Sequence, residues 1–133
     1  MREKKMVKAP EYSALACAVI EDGGRVLFLK RVDGQRELLE FPCVLVEKGM
    51  DPVSGLRAAV LAQAGIDAQV GGIVLEGRHN AGSRKRKKWI PALGFRVSAK
   101  SLSTREKVRW IPLEDAKKEK LGRKAEWIRA LPG

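Results

Sequence analysis

Residues 41–67 read FPCVLVEKGMDPVSGLRAAVLAQAGID. Asp51 followed by Pro52 marks a helix start. The aspartate offers an oxygen to the first free amides, and the proline's missing N–H costs nothing in the first turn. Gly65 suits the left-handed position that ends a helix, so the helix is expected to run to about Ala64. Its interior, VSGLRAAVLAQA, is apolar nearly all round and holds no carboxylate. Upstream, residues 38–46 are extended, and Pro42 among them implies a bulge or an edge position.

Working outward, residues 12–21 (YSALACAVIE) have the length and content of a strand. Asp22-Gly23-Gly24 is a hairpin turn signal, and residues 25–31 (RVLFLKR) are the return strand. Alternation puts Val26, Phe28 and Lys30 on one face and Leu27 and Leu29 on the other. Residues 32–36 form a polar loop. Residues 68–77, 89–97 and 107–111 read as three further strands. Pro112 and Glu114 begin a helical tail that runs to about Leu131 and is interrupted near Gly122. Strands, helix, strands and helix in this order predict an α+β fold with a mixed sheet. Residues 1–11 are set apart as a basic arm, and residues 12–133 as one domain with a basic helical tail.

Three segments resemble the Nudix family: the opening hairpin ALACAVIEDGGRVLFLKR, the central stretch quoted above, and KVRWIPLEDA near the end. The resemblance implies a Nudix-like α/β/α sandwich. The central stretch has the length and punctuation of the Nudix box, a glycine, five residues, a glutamate, seven residues, then R-E-U-x-E-E-x-G-U. With Gly65 on the last glycine and Ile66 on the hydrophobic residue after it, the first glycine falls on Val44 and the first glutamate on Met50. The arginine and its following glutamate fall on Ala58 and Ala59, and the paired glutamates on Ala62 and Gln63. Nudix enzymes, as the resemblance implies, cleave diphosphates with Mg²⁺ held by these helix carboxylates. Mg²⁺ needs hard, charged oxygen ligands, which Ala, Ala and Gln at the i, i+3, i+4 spacing of 59, 62 and 63 do not supply. No catalytic residue, metal or cofactor is therefore expected. The remaining carboxylates nearby are Glu40, Glu47, Asp51 and Glu76, and a site rebuilt from Glu47 and Glu76 is the catalytic alternative. The alanine face is expected either to pack inward and fill the old cleft or to dock a partner.

Charge is the strongest compositional signal. The 133 residues carry 27 Lys and Arg against 16 Asp and Glu, a formal +11. Residues 1–77 hold 10 basic and 11 acidic side chains, and residues 78–133 hold 17 and 5. A one-sided basic surface attracts polyanions within the Debye length, about 8 Å at physiological salt. The long loop of residues 79–88 contains Arg84, Lys85, Arg86, Lys87 and Lys88, five cations whose mutual repulsion predicts an extended loop until phosphates neutralise them. Lys117, Lys118, Lys120, Arg123 and Lys124 form a second cluster on the tail. These ten residues are the candidate RNA contacts. Trp89, Trp110 and Trp127 are expected in the core. No RNP aromatic pair, GXXG clamp or zinc-finger spacing occurs, which points to phosphate- and shape-directed binding.

Other classes are disfavoured. No apolar run approaches the roughly 18 residues of a transmembrane helix, and residues 1–8 lead into no signal-type apolar segment. His79 is the sole histidine, and Cys17 and Cys43 match no metal or disulfide spacing, so they read as reduced core thiols in a cytoplasmic protein. The expected function is that of a non-catalytic RNA-binding protein, a ribosomal protein or ribosome-associated factor on rRNA phosphates, with neighbouring ribosomal proteins as further partners. Neither a membrane nor a small-molecule substrate is expected. A hydrolase with relocated carboxylates and a nucleotide- or protein-binding adaptor are the alternatives.

Overall fold

The computed structural model describes residues 11–99 and 108–116. Their elements are β1 (Tyr12–Asp22), β2 (Arg25–Asp33), β3 (Arg36–Glu40), β4 (Cys43–Glu47), α1 (Pro52–Ala64), β5 (Ala68–Asn80), β6 (Trp89–Ala99), β7 (Val108–Pro112) and the single turn α2 (Leu113–Ala116). The strands form one mixed sheet in the order β3-β2-β1-β6-β5, with β4 also pairing β1 and β7 pairing β2. β1 and β6 run parallel, while the other pairs are antiparallel.

β1 organises the sheet because it is apolar without alternation. Leu15 to Ile20 are all buried, the pattern of a strand covered on both faces. Leu15, Cys17 and Val19 face one cluster, with Val26, Phe28 and Phe41. There the rings of Phe28 and Phe41 stack at 5.2 Å. Ala16, Ala18 and Ile20 face the other cluster, with Leu27 and with Leu56, Val60 and Ala64 of α1. The small alanines on that side let the helix come close. β2 splits its faces as its alternation predicts, with Val26 and Phe28 on one side and Leu27 and Leu29 on the other. Cys17 and Cys43 oppose one another in the β1–β4 ladder without a disulfide between them.

The turns carry the signals read in the sequence. Asp22 pairs with Arg25 across Gly23 and Gly24, both at positive φ, as a tight I′-type hairpin requires. Asp51 caps α1 by accepting from the Ser54 amide at 3.2 Å and hydroxyl at 2.7 Å. Those two hydrogen bonds hold the Asp51 carboxyl below the usual carboxylate range. Gly65 ends the helix at φ 72° and donates to Leu61 O.

Three expectations need correcting. The polar stretch 32–36 is mostly strand: β2 and β3 continue to a two-residue turn, with Asp33 paired to Arg36. β5 reaches Asn80, so His79 and Asn80 belong to the ladder and the loop begins at Ala81. Trp89 is not core but 53% exposed, whereas Trp110 is partly buried against the α1 cluster. The tail helix expected to reach about Leu131 is described only in its first turn. The rest of it, with Lys117, Lys118, Lys120, Arg123, Lys124 and Trp127, lies outside the described residues, as does the arm apart from Glu11. No helix among the described residues is long and apolar enough to cross a membrane.

Candidate functional site

Two surfaces are candidates: the helix face that lacks carboxylates, and the basic end of the β5–β6 hairpin. On α1, Leu56, Val60 and Ala64 are buried. Their i, i+4, i+8 spacing takes up the inward side. Ala59 is half-buried, while Ala58, Ala62 and Gln63 are exposed. Of the two roles expected of the alanine face, inward packing is therefore met only in part, at Ala59, because the larger Leu56 and Val60 occupy that side.

Gln63 has a definite task. Its Nε2 donates to Cys43 O at 2.9 Å, and its Oε1 accepts from Cys43 N at 3.1 Å. The amide thus closes a two-bond clamp on the backbone of β4, twenty residues away. A carboxylate could accept from Cys43 N but could not donate to its carbonyl. Position 63 is used to fasten α1 to the sheet, and glutamine is the residue that fits the task.

The neighbouring acids do not converge. Glu40 pairs with Arg31 at 3.5 Å, Asp51 is spent on the cap, and Glu47 and Glu76 are exposed. Among the described residues, no group of three or more His, Cys, Asp or Glu is placed to hold a metal ion.

The basic loop is built differently from its expectation. Arg84, Lys85, Arg86, Lys87 and Lys88 are all exposed. None pairs with a carboxylate among the described residues. Yet the loop is folded back on itself, not extended. Asn80 Oδ1 accepts from Gly82 N at 2.9 Å and from Lys88 N at 2.8 Å, and Asn80 Nδ2 donates to Ser83 O at 3.2 Å. Ser83 Oγ accepts from Arg86 N at 2.8 Å, and Ser83 N donates to Arg86 O at 3.0 Å. Ala81 N donates to Lys88 O at 2.8 Å. A Cβ on Gly82 would clash with Arg86 O, so only glycine allows this approach. Backbone hydrogen bonding outweighs repulsion that water screens. The signal for it, an Asn-Ala-Gly-Ser run just before the cations, is turn chemistry, outweighed in the sequence reading by the charges after it.

Next to the loop, the Arg78 guanidinium lies over the Trp89 ring at 5.1 Å from its centroid. The two residues line a shallow depression of about 370 Å³ with Glu76, Pro91 and Leu93. The pairings Asn80–Trp89, Arg78–Pro91 and Glu76–Leu93 give its order along the ribbon, from the loop inward. The arginine–tryptophan pair was missed in the sequence because its partners are eleven residues apart and meet only through the ladder register.

The sequence matches no family model and no curated protein. The fold, however, is similar to solved structures. The solution structure of the E. coli ORF135 protein superposes with a TM-score of 0.74 at 20% identity, over 91% of this chain and 89% of that one. The MutT protein from Methanosarcina mazei Go1 gives 0.63 at 20%, over 93% and 95%. An ADP-ribose pyrophosphatase from Streptococcus suis gives 0.64 at 13%, over 87% and 86%. Identities this low speak for the fold alone.

Proposed function

We propose that this chain, a Nudix-like α+β domain by its fold, is a non-catalytic RNA-binding protein that works as a component or factor of a large cytoplasmic RNA assembly such as the ribosome, beside neighbouring ribosomal proteins. The observation that carries the reading is the β5–β6 loop, in which five consecutive exposed cations sit on a backbone fastened by Asn80 and Ser83. A cationic loop that is ordered beforehand loses less conformational entropy on meeting phosphates than a floppy one. Each phosphate it neutralises releases counterions. Arginines in the run add planar donor forks suited to phosphate oxygens. The excess of basic residues in 78–133 supplies the long-range field around this anchor.

The helix supports the same reading. Between Pro52 and Ile66 there is no acid, and Gln63 is committed to Cys43. Metal activation of water and charge neutralisation on a diphosphate have no anchor there.

Fluorescence anisotropy with a labelled structured RNA tests the proposal. Replacing Arg84, Lys85, Arg86, Lys87 and Lys88 together by glutamine is expected to weaken binding at least tenfold. It should also flatten the dependence of affinity on salt, since the slope follows the number of phosphates neutralised. Mg²⁺-dependent turnover of a nucleoside diphosphate compound by the wild type would replace this reading with a hydrolase of relocated carboxylates. Saturable binding of a small nucleotide without metal, with no RNA affinity, would replace it with an adaptor.

A further inference from the structure

Trp89 follows directly after the five cations and keeps 53% of its surface exposed although Arg78 already lies against its ring. Leaving so large an aromatic in water is unfavourable unless something covers it. Its neighbours narrow down what that is. On the loop side, Arg84 to Lys88 attract phosphate. On the other side, the depression is apolar at Pro91 and Leu93 and ends at the exposed carboxylate of Glu76. A carboxylate repels phosphate but accepts hydrogen bonds from base amino groups. Charge thus changes sign along the ribbon, from the loop to Glu76, with a flat aromatic surface between the two ends.

We propose that the Arg78–Trp89 pair is a stacking platform for an unpaired base, and that the RNA recognised here is single-stranded at this point, its phosphates on residues 84–88 and its base over Trp89 toward Glu76. This deepens the RNA-binding reading and rests on it. A paired base cannot reach the platform, because its faces are already stacked in the duplex. An unpaired one gains the stack at little cost, and every base has a π-face, so the platform tolerates any sequence. Arg78 suits the role because a guanidinium over an indole still has N–H donors to offer a phosphate or base oxygen. The surface is open to test because Trp89 is exposed and its replacement removes no core packing.

The test compares full-length wild type, Trp89→Ala and Trp89→Phe. The probes are a twelve-nucleotide single-stranded RNA containing 2-aminopurine and a blunt-ended, loop-free duplex with the same number of phosphates, both at one fixed salt concentration. Wild type is expected to bind the single strand more tightly and to change the 2-aminopurine emission. Trp89→Ala is expected to weaken single-strand binding roughly five- to a hundredfold, the range that one base–aromatic stack supplies. Duplex binding should stay within about twofold, and the emission change should vanish. Trp89→Phe, which keeps a ring, is expected to retain most of the affinity. Equal binding of both probes, unmoved by Trp89→Ala, would overturn the platform and leave the RNA reading standing. Failure of wild type to bind either probe would overturn both.

Discussion

One functional group at position 63 separates two readings of the helix. In the register that the Nudix resemblance implies, Gln63 falls where the box has a glutamate. In the structure it is a matched donor and acceptor for the backbone of Cys43. Gln63→Glu replaces the donor with an oxygen 2.9 Å from the carbonyl it used to serve. Loss of the bond, plus repulsion at an exposed site, is expected to destabilise the fold by about 1 kcal/mol, a fall of a few degrees in the thermal midpoint. The pH dependence follows from the group introduced. A carboxyl facing a carbonyl is easier to protonate folded than unfolded, so its folded pKa lies above its unfolded one. The deficit should then be full at neutral pH and shrink as acidification restores a donor. Thermal melts of wild type and Gln63→Glu from neutral to mildly acid pH measure it. A variant as stable as wild type at every pH would show that the clamp does not hold α1 in place. The clamp itself was not legible in the sequence, because it joins residues that only the packing of α1 on β4 brings together.

At the level of elements, what could be read was what local chemistry decides. Asp51-Pro52 and Gly65 bounded α1 correctly, since capping depends on a few adjacent residues. The β1–β2 hairpin followed from Gly23-Gly24 in the same way. The β2–β3 turn was mistaken for a loop because strand ends near Arg31 and Arg36 are polar and carry no apolar alternation. Pairing across the ladder keeps them extended, with Lys30 meeting Glu37 at 2.7 Å. The β5–β6 loop shows the same limit from the other side, since its charges were read correctly and its conformation was not. Asn80 organises it through three hydrogen bonds. Asn80→Ala is expected to release the amides of Gly82 and Lys88 to fast hydrogen exchange while leaving those of β1 protected, since opening there is local. Exposed hydrogen bonds contribute about 0.5–1.5 kcal/mol each, so the global midpoint should fall only slightly and RNA affinity several-fold. Unchanged exchange at Gly82 and Lys88 would mean that Asn80 does not hold the loop.

At the level of the whole molecule, the fold and the charge distribution tell different stories. Both core clusters draw on β1 and β2, with α1 closing one of them, and the charge-balanced first 77 residues supply most of that core. The basic excess lies in residues 78–133. A domain built for small diphosphates would concentrate its charge in a cleft, where low-dielectric walls focus the field. Here Arg84 to Lys88 stand on an exposed hairpin tip, accessible to a partner much larger than the domain itself. That difference predicts how the protein behaves in a lysate. In a sucrose gradient at low salt, it should travel with large ribonucleoprotein particles and be lost from them after ribonuclease. Raising the salt should strip it steeply. Five phosphates neutralised by the loop alone correspond to a logarithmic slope of about −3.5 on single strands, so a threefold rise in salt should lower affinity by roughly fiftyfold. Glutamine replacement of residues 84–88 should make the protein leave the particles at lower salt than wild type. A protein that stays at the top of the gradient in every condition would separate the basic hairpin from any RNA assembly. The charge asymmetry would then have to serve a smaller anionic partner.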